Sequence, residues 1–383
     1  MSHDVDKRAL DLHKKLGGKI RIIPAKAVKN RSDLSLIYTP GVAAVSKYVA
    51  KHPDKAHAYT MKGRTVAVIS DGSAVLGLGN IGALGALPVM EGKAALFKAF
   101  GDVDAVPIVL NTQEVDNIVQ TIIHISPAFG GINLEDFAAP KCFEIERRLI
   151  QRLDIPVMHD DQHGTAIVVV AGLLNALKVV EKEMASAKIV ISGAGAAGTA
   201  VAYLLRDAGA KKIVVLDSKG VIGRHRYDLS AHKRGLLEFT NTAWVRGDLK
   251  DALKDADAFI GVSGPGTTTA EDIKLMAPGA IVFALANPIP EIMPSEARKG
   301  GAVVIATGRS DFPNQVNNSL AFPGVFRGAL DNRVSRITNE MKLKAAYALA
   351  GLVSAPSADK ILPDMFDKRV VGAVAKTIIE RTR

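Results

Sequence analysis

Short apolar runs alternate with amphipathic stretches along most of the chain. Runs rich in Val and Ile predict buried strands at 64–70, 105–110 and 130–137. Amphipathic stretches predict helices at 91–100, 115–126 and 142–153. Strands that alternate with helices at this spacing indicate parallel βαβ units. The first 60 residues or so predict mostly helix, with a turn at Pro40 and Gly41.

The middle of the chain predicts a long helix that joins two such units. A strand in IPVM runs into the polar sequence HDDQHGT, which we expect to be a turn, and an apolar helix follows at 165–183. Beyond it, AKIVISGAGAAGTAVAYLLRDAGAKKIVVLD predicts strand, glycine turn, helix and strand, and a helical tail starts near residue 325. The expected fold class is α/β, with one α/β domain at residues 1–162. A second domain at 163–383 is expected to be a Rossmann-type doubly wound parallel sheet with C-terminal helices.

Composition narrows the class of protein. At 383 residues the chain exceeds what one hydrophobic core usually supports, and 48% hydrophobic residues indicate a globular fold. Its apolar runs are shorter than the roughly 20 residues of a membrane span, and its charged N-terminus lacks the apolar core of a signal peptide. The single cysteine, Cys142, agrees with a reducing compartment. We therefore expect a cytoplasmic protein without a membrane partner.

The net charge of +10 raises the question of a nucleic-acid partner. Lys and Arg are spread along the chain, and aromatic residues make up only 5%, which is poor material for base stacking. An evenly basic surface instead attracts small anions. We expect a small-molecule substrate and no nucleic-acid partner.

Two segments have the glycine spacing G-x-G-x-x-G of dinucleotide-binding turns. The second meets the conditions for that function, because a strand precedes it, a helix follows it and Asp217 closes the next strand. Amides at the start of that helix can bind a pyrophosphate. The predicted cofactor-binding residues of this turn are Gly193, Gly195, Ala196, Ala197 and Gly198. The first segment, with Gly77, Gly79 and Gly82, fails the same test because its strand ends at Ser70 and no strand with a terminal acid follows.

Asp217 and the two residues after it bear on the choice of nucleotide. A carboxylate at this position binds the free ribose hydroxyls of NAD⁺, whereas a basic side chain can pair with the extra phosphate of NADP⁺. Ser218 and Lys219 follow Asp217 directly. We expect both residues to contact the nucleotide and either nucleotide to be accepted, with a slight preference for NAD⁺.

Three carboxylates stand at predicted strand ends. Glu135 and Asp136 close one strand, and Asp161 follows another. Such oxygen ligands suit Mg²⁺ or Mn²⁺, and because adjacent acids cannot point the same way on a regular strand, we expect a turn there. The alternative is a set of solvent-facing loop acids, with Asp161 capping the next helix. His159 and His163 also have the spacing of a zinc hydrolase motif, but a strand runs into this segment and Asp replaces the Glu base.

Two further side chains are candidates for proton transfer. Apolar neighbours would partly bury Lys93, and burial beside a cation would lower its pKa from about 10.4 to roughly 7.5, where a neutral amine can act as a base. Tyr38, just before the turn at Pro40, can donate a proton. The alternatives are a surface lysine with its ammonium in water and a half-buried tyrosine.

Eight ordered motifs together are far more specific than any one of them. They are YTPGVA, DGSAVLGLGNIG, EGKAALFKAF, NLEDF, DDQHGTA, GAGAAG, ANPIPE and NNSLAFPG. In this order and over nearly the whole chain they resemble the malic enzymes, in particular the shorter bacterial and archaeal form. The resemblance implies oxidative decarboxylation of malate to pyruvate and CO₂ with NAD⁺ or NADP⁺ and a divalent metal ion. Decarboxylation of oxaloacetate is a further expected activity.

The resemblance also implies roles for individual residues. Tyr38 matches the general acid and Lys93 the general base, and both would contact the substrate. The implied metal ligands are Glu135, Asp136 and Asp161. The implied contacts to the substrate and the nicotinamide side of the cofactor are Asn287, Asn317 and Asn318.

Two points of the resemblance concern the first glycine segment and the assembly. The segment matches a loop beside the substrate, in which many relatives have an arginine where this chain has Ser73 and Ala74, so the role of these two residues stays open. A homodimer or a higher homo-oligomer is implied, with the N-terminal helices as the interface. One rival interpretation is a metal-independent amino-acid dehydrogenase, and another is a non-enzymatic protein that senses nicotinamide nucleotides. Neither accounts for the ordered motifs.

Overall fold

The computed structural model describes residues 2–75 and 77–380 and contains two β-sheets. The first sheet is formed by β1 (Thr65–Ser70), β2 (Asp104–Val109), β3 (Gly131–Leu134) and β4 (Val157–His159). The second is formed by β5 (Lys188–Ser192), β6 (Lys212–Asp217), β7 (Gly220–Val221), β8 (Ala258–Gly261), β9 (Ile281–Ala284) and β10 (Val304–Thr307). The predicted α/β class, with a Rossmann-type sheet in the second half, is confirmed.

Helices precede, connect and follow these strands. Those of the first half are α1 (Ser2–Leu16), α2 (Arg31–Ile37), α3 (Val42–Lys51), α4 (Ala56–Tyr59), α5 (Gly82–Gly101), α6 (Val115–Ile125), α7 (Lys141–Arg152) and α8 (Asp160–Val179). Those of the second half are α9 (Ala196–Asp207), α10 (Ala231–Leu236), α11 (Leu249–Leu253), α12 (Ala270–Ile273), α13 (Pro294–Lys299), α14 (Phe322–Asp331), α15 (Asn339–Gly351) and α16 (Arg369–Ala375). Short 3₁₀ turns lie at Pro53–Lys55, Met61–Arg64, Ser126–Ala128 and Asn318–Leu320.

The first sheet is parallel, with the strand order β2-β1-β3-β4. In β1, Thr65 pairs with Asp104 of β2 and Val66 pairs with Gly131 of β3. Every residue of β1 is buried, which is typical of a parallel strand covered on both faces. Because parallel strands end at the same edge of a sheet, the residues that follow β1, β3 and β4 lie side by side at its carboxyl edge.

The second sheet has the order β10-β9-β8-β5-β6-β7. Its strands are parallel except for β7, which runs antiparallel to β6. The order reverses at β5, since β6 lies on one side of it and β8 on the other. The carboxyl ends of β5 and β8 therefore form the topological switch point at which doubly wound folds bind their ligands.

Helix α8 connects the two sheets. Its side chains are apolar around most of its circumference, and 72% of its most apolar 18-residue stretch is buried. By length and composition it could cross a membrane, but burial of this extent is that of a core helix. The amide of Asn175 donates to the carbonyl oxygens of Ala350 at 2.9 Å and Ile361 at 3.0 Å, so α8 also fastens the C-terminal region. The predicted domain boundary at 162 falls within this helix and stays a prediction.

Two elements differ from the sequence prediction. The sequence DDQHGT, expected to be a polar turn, forms the first turns of α8, so this helix begins at Asp160 and not at residue 165. Acidic residues are favourable in a first helical turn, because they interact with the positive end of the helix dipole. Helix α5 begins at Gly82, nine residues before the predicted start, and accommodates Pro88 in its interior.

The N-terminal region packs poorly on the rest of the chain. No residue from 5 to 64 is buried. Large apolar side chains stand in solvent there, among them Leu10 at 73%, Ile22 at 96% and Leu36 at 68% exposure. Exposed apolar surface of this extent is characteristic of a protein interface.

Candidate functional site

Three acidic side chains converge at the carboxyl edge of the first sheet. Glu135 and Asp136 follow β3 directly, and Asp161 lies in the first turn of α8, directly after the neighbouring strand β4. One carboxylate oxygen from each lies within 4.8 Å of the others. Glu135 and Asp136 are buried, and the Asp161 side chain is 32% exposed. The pairing of β3 with β4 therefore brings together the three side chains expected to bind a metal ion.

A turn after β3 lets the two adjacent acids face the same site, as the sequence led us to expect. Asp136 has a left-handed backbone with φ of 56°, and its N–H donates to Oδ2 of Asp161 at 2.7 Å. The loop after β1 supports this turn, because the N–H of Ala74 donates to the carbonyl of Asp136 at 2.9 Å. Ser73 accepts from the N–H of Ala138 at 2.9 Å. Ser73 and Ala74 therefore brace the acidic turn.

Lys93 projects from α5 into the same edge and is only 7% exposed. Its Nζ donates to Oε1 of Glu135 at 2.8 Å and to Oδ2 of Asp160, and it lies 4.1 Å from the ring centroid of Phe322. Asn133 holds the other oxygen of Glu135 with a 2.9 Å hydrogen bond. The alternative of a surface lysine with its ammonium in water is therefore wrong.

The pKa of Lys93 moves in the direction opposite to the expected one. Burial lowers it, but the Asp160 and Glu135 carboxylates attract the ammonium charge more strongly, and the net shift of the Lys93 pKa is upward. The downward shift that we expect beside a bound cation stays a prediction. Burial also raises the pKa of Glu135 and of Asp161, because it removes water from their negative charges, and the charge of Asp161 adds to the shift of Glu135.

This donor set fits a hard divalent cation. It offers three carboxylate oxygens, the ligand type that Mg²⁺ and Mn²⁺ prefer, and one lysine is a small countercharge for so many buried acids. The zinc alternative lacks geometric support, because Nε2 of His163 forms a hydrogen bond of 3.0 Å with Oε2 of Glu146. Among the residues that the structure describes, the one His, Cys, Asp and Glu group close enough to share an ion is that of Glu135, Asp136 and Asp161.

Sequence reasoning missed Asp160. This residue is fully buried and contacts Lys93 directly, whereas the prediction used only its neighbour Asp161. Burial raises the pKa of Asp160, although the charge of Lys93 opposes this shift. The two adjacent acids in HDDQH are the sequence feature that could have indicated this contact. Because α8 begins at Asp160, the two side chains point in different directions and contact different partners.

The second glycine segment has the backbone geometry of a nucleotide-binding turn. Gly193 has φ of 117°, and a Cβ there would lie 2.4 Å from the carbonyl oxygen of Val262. A Cβ on Gly198 would lie 1.7 Å from the carbonyl oxygen of Gly193, so strand and helix approach as closely as this fingerprint requires. Gly195 precedes α9 and has open space around it, and Ala196 begins the helix with Ala197 behind it. Backbone N–H groups at the start of α9 can donate hydrogen bonds to a pyrophosphate.

Asp217 closes β6 as predicted, but its carboxylate is fully engaged. Oδ1 accepts from Nη1 of Arg226 at 2.6 Å and from the N–H of Lys219 at 2.9 Å. Oδ2 accepts from Nζ of Lys233 at 2.6 Å and from Nη2 of Arg226 at 3.2 Å. Burial raises the pKa of Asp217, but the bonds from Arg226 and Lys233 outweigh it and lower the pKa to about 2. Sequence reasoning missed Arg226 and Lys233, and the dense basic stretch SKGVIGRHRYDLSAHKR was the only local signal.

The first glycine segment lies against the second half of the chain. A Cβ on Gly77 would be 1.9 Å from the carbonyl oxygen of Asn287, which follows β9. Asn318 packs against the first turns of α8, where a Cβ on Gly164 would lie 3.1 Å from its Cβ. Asn317 uses its side-chain oxygen to accept from the N–H and hydroxyl of Ser319 at 3.0 and 2.6 Å. Asn287 and Asn318 thus lie on loops that meet the first half, whereas Asn317 caps its own turn.

Tyr38 is the predicted residue that the structure keeps apart from this group. Its side chain is 63% exposed. Its backbone N–H donates to the carbonyl of Leu34, and its carbonyl accepts from Val42. Within residues 2–75 and 77–380, no described contact joins Tyr38 to Lys93 or to the three carboxylates.

Comparisons with known proteins agree with this geometry. Residues 17–150 match the model of the malic enzyme N-terminal domain, and residues 162–382 match that of the malic enzyme NAD-binding domain. A bifunctional malic/malolactic enzyme of Bacillus subtilis is 56% identical over 97% of this chain and 91% of its own length. An NAD-dependent malic enzyme of Geobacillus stearothermophilus is 51% identical over 98% of this chain and 79% of its own.

A solved structure extends the likeness to three dimensions. The crystal structure of an NAD-dependent malic enzyme from Thermotoga maritima has a TM-score of 0.93 and 49% sequence identity, and covers 97% of this chain and 98% of its own. The chain therefore belongs to the malic enzyme family, whose activity is the NAD- or NADP-dependent oxidative decarboxylation of malate.

Proposed function

We propose that malate is oxidised and decarboxylated at the carboxyl edge of the first sheet, with Lys93 as the general base. The observation that carries this assignment is the convergence of Lys93 with Glu135, Asp136 and Asp161 at the ends of neighbouring strands. Lys93 can accept a proton only as the neutral amine. A divalent cation on Glu135, Asp136 and Asp161 would favour that form, because it would repel the ammonium charge and engage Glu135. The product would be pyruvate with CO₂, and oxaloacetate would be decarboxylated at the same place.

Glu135, Asp136 and Asp161 would hold Mg²⁺ or Mn²⁺. Three oxygen donors suit such an ion, since water and substrate complete its coordination. A bound ion would supply Lewis-acid chemistry to the oxygens of the substrate, and bound NAD⁺ or NADP⁺ would supply the hydride acceptor.

Lys93 would take the proton of the malate hydroxyl. Its amine lies between Glu135, which is a proposed ligand of the ion, and Asp160, which is not a proposed ligand. Asp160 therefore positions the amine when Glu135 is engaged elsewhere. After CO₂ leaves, Tyr38 would donate a proton to the terminal carbon of the enolate. Two groups are needed because the proton is removed from one atom and delivered to another.

Tyr38 would serve the site of a second copy of the chain. Its phenol is 63% exposed, and residues 5–64 contain no buried residue. An interface with a partner would cover the exposed apolar side chains of this region and move Tyr38 out of solvent. A homodimer of this kind would cover the exposed N-terminal surface and would place Tyr38 where it can act as the acid.

The surroundings of Asp217 shift the expected nucleotide preference from NAD⁺ to NADP⁺. Four donors occupy the Asp217 carboxylate, whose side chain is 8% exposed, so no lone pair is left for ribose hydroxyls. Lys233 and Arg226 instead provide two cations beside the place of the ribose. Arg226 also donates from Nε and Nη2 to Asp228 at 2.9 Å, so a phosphate would bind its guanidinium by replacing Asp228. Malate and the nucleotide are both anions, which a basic surface attracts. The proposed location is cytoplasmic, as the sequence predicts.

Replacing Lys93 with Met removes the amine but retains an apolar side chain of similar length. Turnover of malate with saturating Mn²⁺ and nucleotide should fall by about 10² to 10⁴-fold, because general-base catalysis is lost. The measurement is the rate of NADH or NADPH formation at its absorbance band. Lys98→Met is the control, since Lys98 lies on the same helix with its side chain 58% exposed. Near-normal turnover by Lys93→Met would remove this residue from the mechanism.

Mixing two defective variants tests whether Tyr38 acts across a dimer. Lys93→Met and Tyr38→Phe are incubated together until their subunits exchange, and malate turnover is compared with that of each variant alone. A mixed dimer then has one site with both wild-type residues, so random exchange should restore about a quarter of wild-type activity. If Tyr38 serves its own chain, every site carries one defect and the mixture is no more active than its components.

The nucleotide preference is tested by replacing Arg226 and Lys233 with Met. The ratio kcat/KM for NADP⁺ should fall about 10- to 100-fold, the cost of a lost hydrogen bond to a charged group, while that for NAD⁺ changes far less. Lys212→Met, at the exposed start of the same strand β6, is the matched control. Equal losses with both nucleotides would show that Arg226 and Lys233 only hold Asp217 in place.

A further inference from the structure

A cavity of about 190 Å³ lies between α7, α8, α9 and α15. Its lining shares no residue with the three carboxylates or with the predicted nucleotide-binding turn. Lys342, Thr199 and Gln162 supply polar groups to its wall, and Ala166, Ala200 and Leu204 supply apolar surface. A space of this volume with both kinds of wall can hold a small organic molecule.

Lys342 brings an unbalanced positive charge to this cavity. It lies in the first turn of α15 and is 7% exposed. The hydrogen bond described for its Nζ is a long one, 3.4 Å to Oδ1 of Asn339, and within residues 2–75 and 77–380 no carboxylate oxygen lies within 4.0 Å of it. A buried ammonium without an ion-pair partner is unfavourable unless another anion reaches it.

The buried carboxylate of Glu146, whose charge acts on Lys342, already accepts hydrogen bonds from other donors. Glu146 accepts from the N–H of His159 at 2.8 Å, from Nε2 of Gln162 at 3.2 Å and from Nε2 of His163 at 3.0 Å. Burial lowers the pKa of Lys342 to about 8, although Glu146 and Asp207 oppose the shift. These acids therefore influence Lys342 from a distance but do not neutralise it by contact.

Thr199 lines the same cavity from another helix. It lies on α9, is 5% exposed, and its Oγ1 has no hydrogen-bond partner among the described residues. Buried hydroxyls are normally satisfied, so an unsatisfied one that lines a cavity indicates a missing acceptor. An ammonium and a hydroxyl are both donors whose hydrogen bonds a carboxylate accepts.

We propose that this cavity binds a small monocarboxylate, with its oxygens on Lys342 and Thr199 and its carbon chain against Ala166, Ala200 and Leu204. The apolar wall favours an organic acid over an inorganic anion, which would leave that surface unused. Bound there, the ligand would tie α15 to α9 and α8. Because α8 begins with Asp160 and Asp161, a ligand in the cavity would contact the helix that carries part of the carboxylate site.

The test measures binding without substrate, nucleotide or metal, so its outcome does not depend on the proposed reaction. The full chain in EDTA is titrated with sodium propionate, and with sodium chloride at equal ionic strength, by calorimetry and by thermal unfolding. Propionate should bind at one site per chain and raise Tm saturably, by roughly 3 °C at 100 times Kd. Chloride should not.

Variants separate this site from other anion sites. Lys342→Met should abolish the propionate response, and Thr199→Val, which preserves shape, should weaken propionate binding about tenfold. Lys344→Met, 48% exposed on the same helix, and Lys93→Met should respond as the wild type does. A saturable response that persists in Lys342→Met, an equal response to chloride, or none in the wild type would overturn the proposal. Thr199→Val keeps the test decisive if Lys342→Met fails to fold.

Discussion

The contact between Lys93 and two carboxylates is the interaction on which the site depends. Glu135 follows β3 and Asp160 follows β4, so one ammonium joins the ends of two neighbouring strands to α5. Without that positive charge, several buried acids would face one another across a few ångströms, at high electrostatic cost. The same crowding that requires Lys93 also creates a place for a divalent cation. Structure and proposed chemistry therefore have a common physical origin.

Local patterns in the sequence predicted most strands and the second glycine turn, because an apolar run or a glycine spacing is determined by its own residues. The failures concern long-range contacts. Asp160 contacts Lys93 of α5 from the start of α8, where the local sequence predicts a polar turn and the structure has a helix. Arg226 reaches Asp217 from the loop after β7 and Lys233 reaches it from α10, and nothing in the spacing of these residues indicates either contact. Side-chain burial and pairing across elements were beyond local reasoning.

The first glycine segment shows how one signature can serve another purpose. Its spacing copies that of the nucleotide-binding turn, but its surroundings lack the strand and acid that the fingerprint needs. Gly77 instead allows a close approach to the backbone of Asn287, and Ser73 and Ala74 brace the turn that carries Asp136. The segment therefore couples the carboxylate edge of the first sheet to a loop of the second, as a site between two α/β units requires.

The location of the metal ion is the most direct test of this account. Crystals of the wild-type chain grown with Mn²⁺ and measured at the manganese absorption edge report the position of the ion by anomalous scattering. The account predicts a strong peak at coordinating distance from carboxylate oxygens of Glu135, Asp136 and Asp161, with the Lys93 amine beside it. A peak elsewhere, such as at Glu146 and His163, or no peak at saturating Mn²⁺, would contradict it.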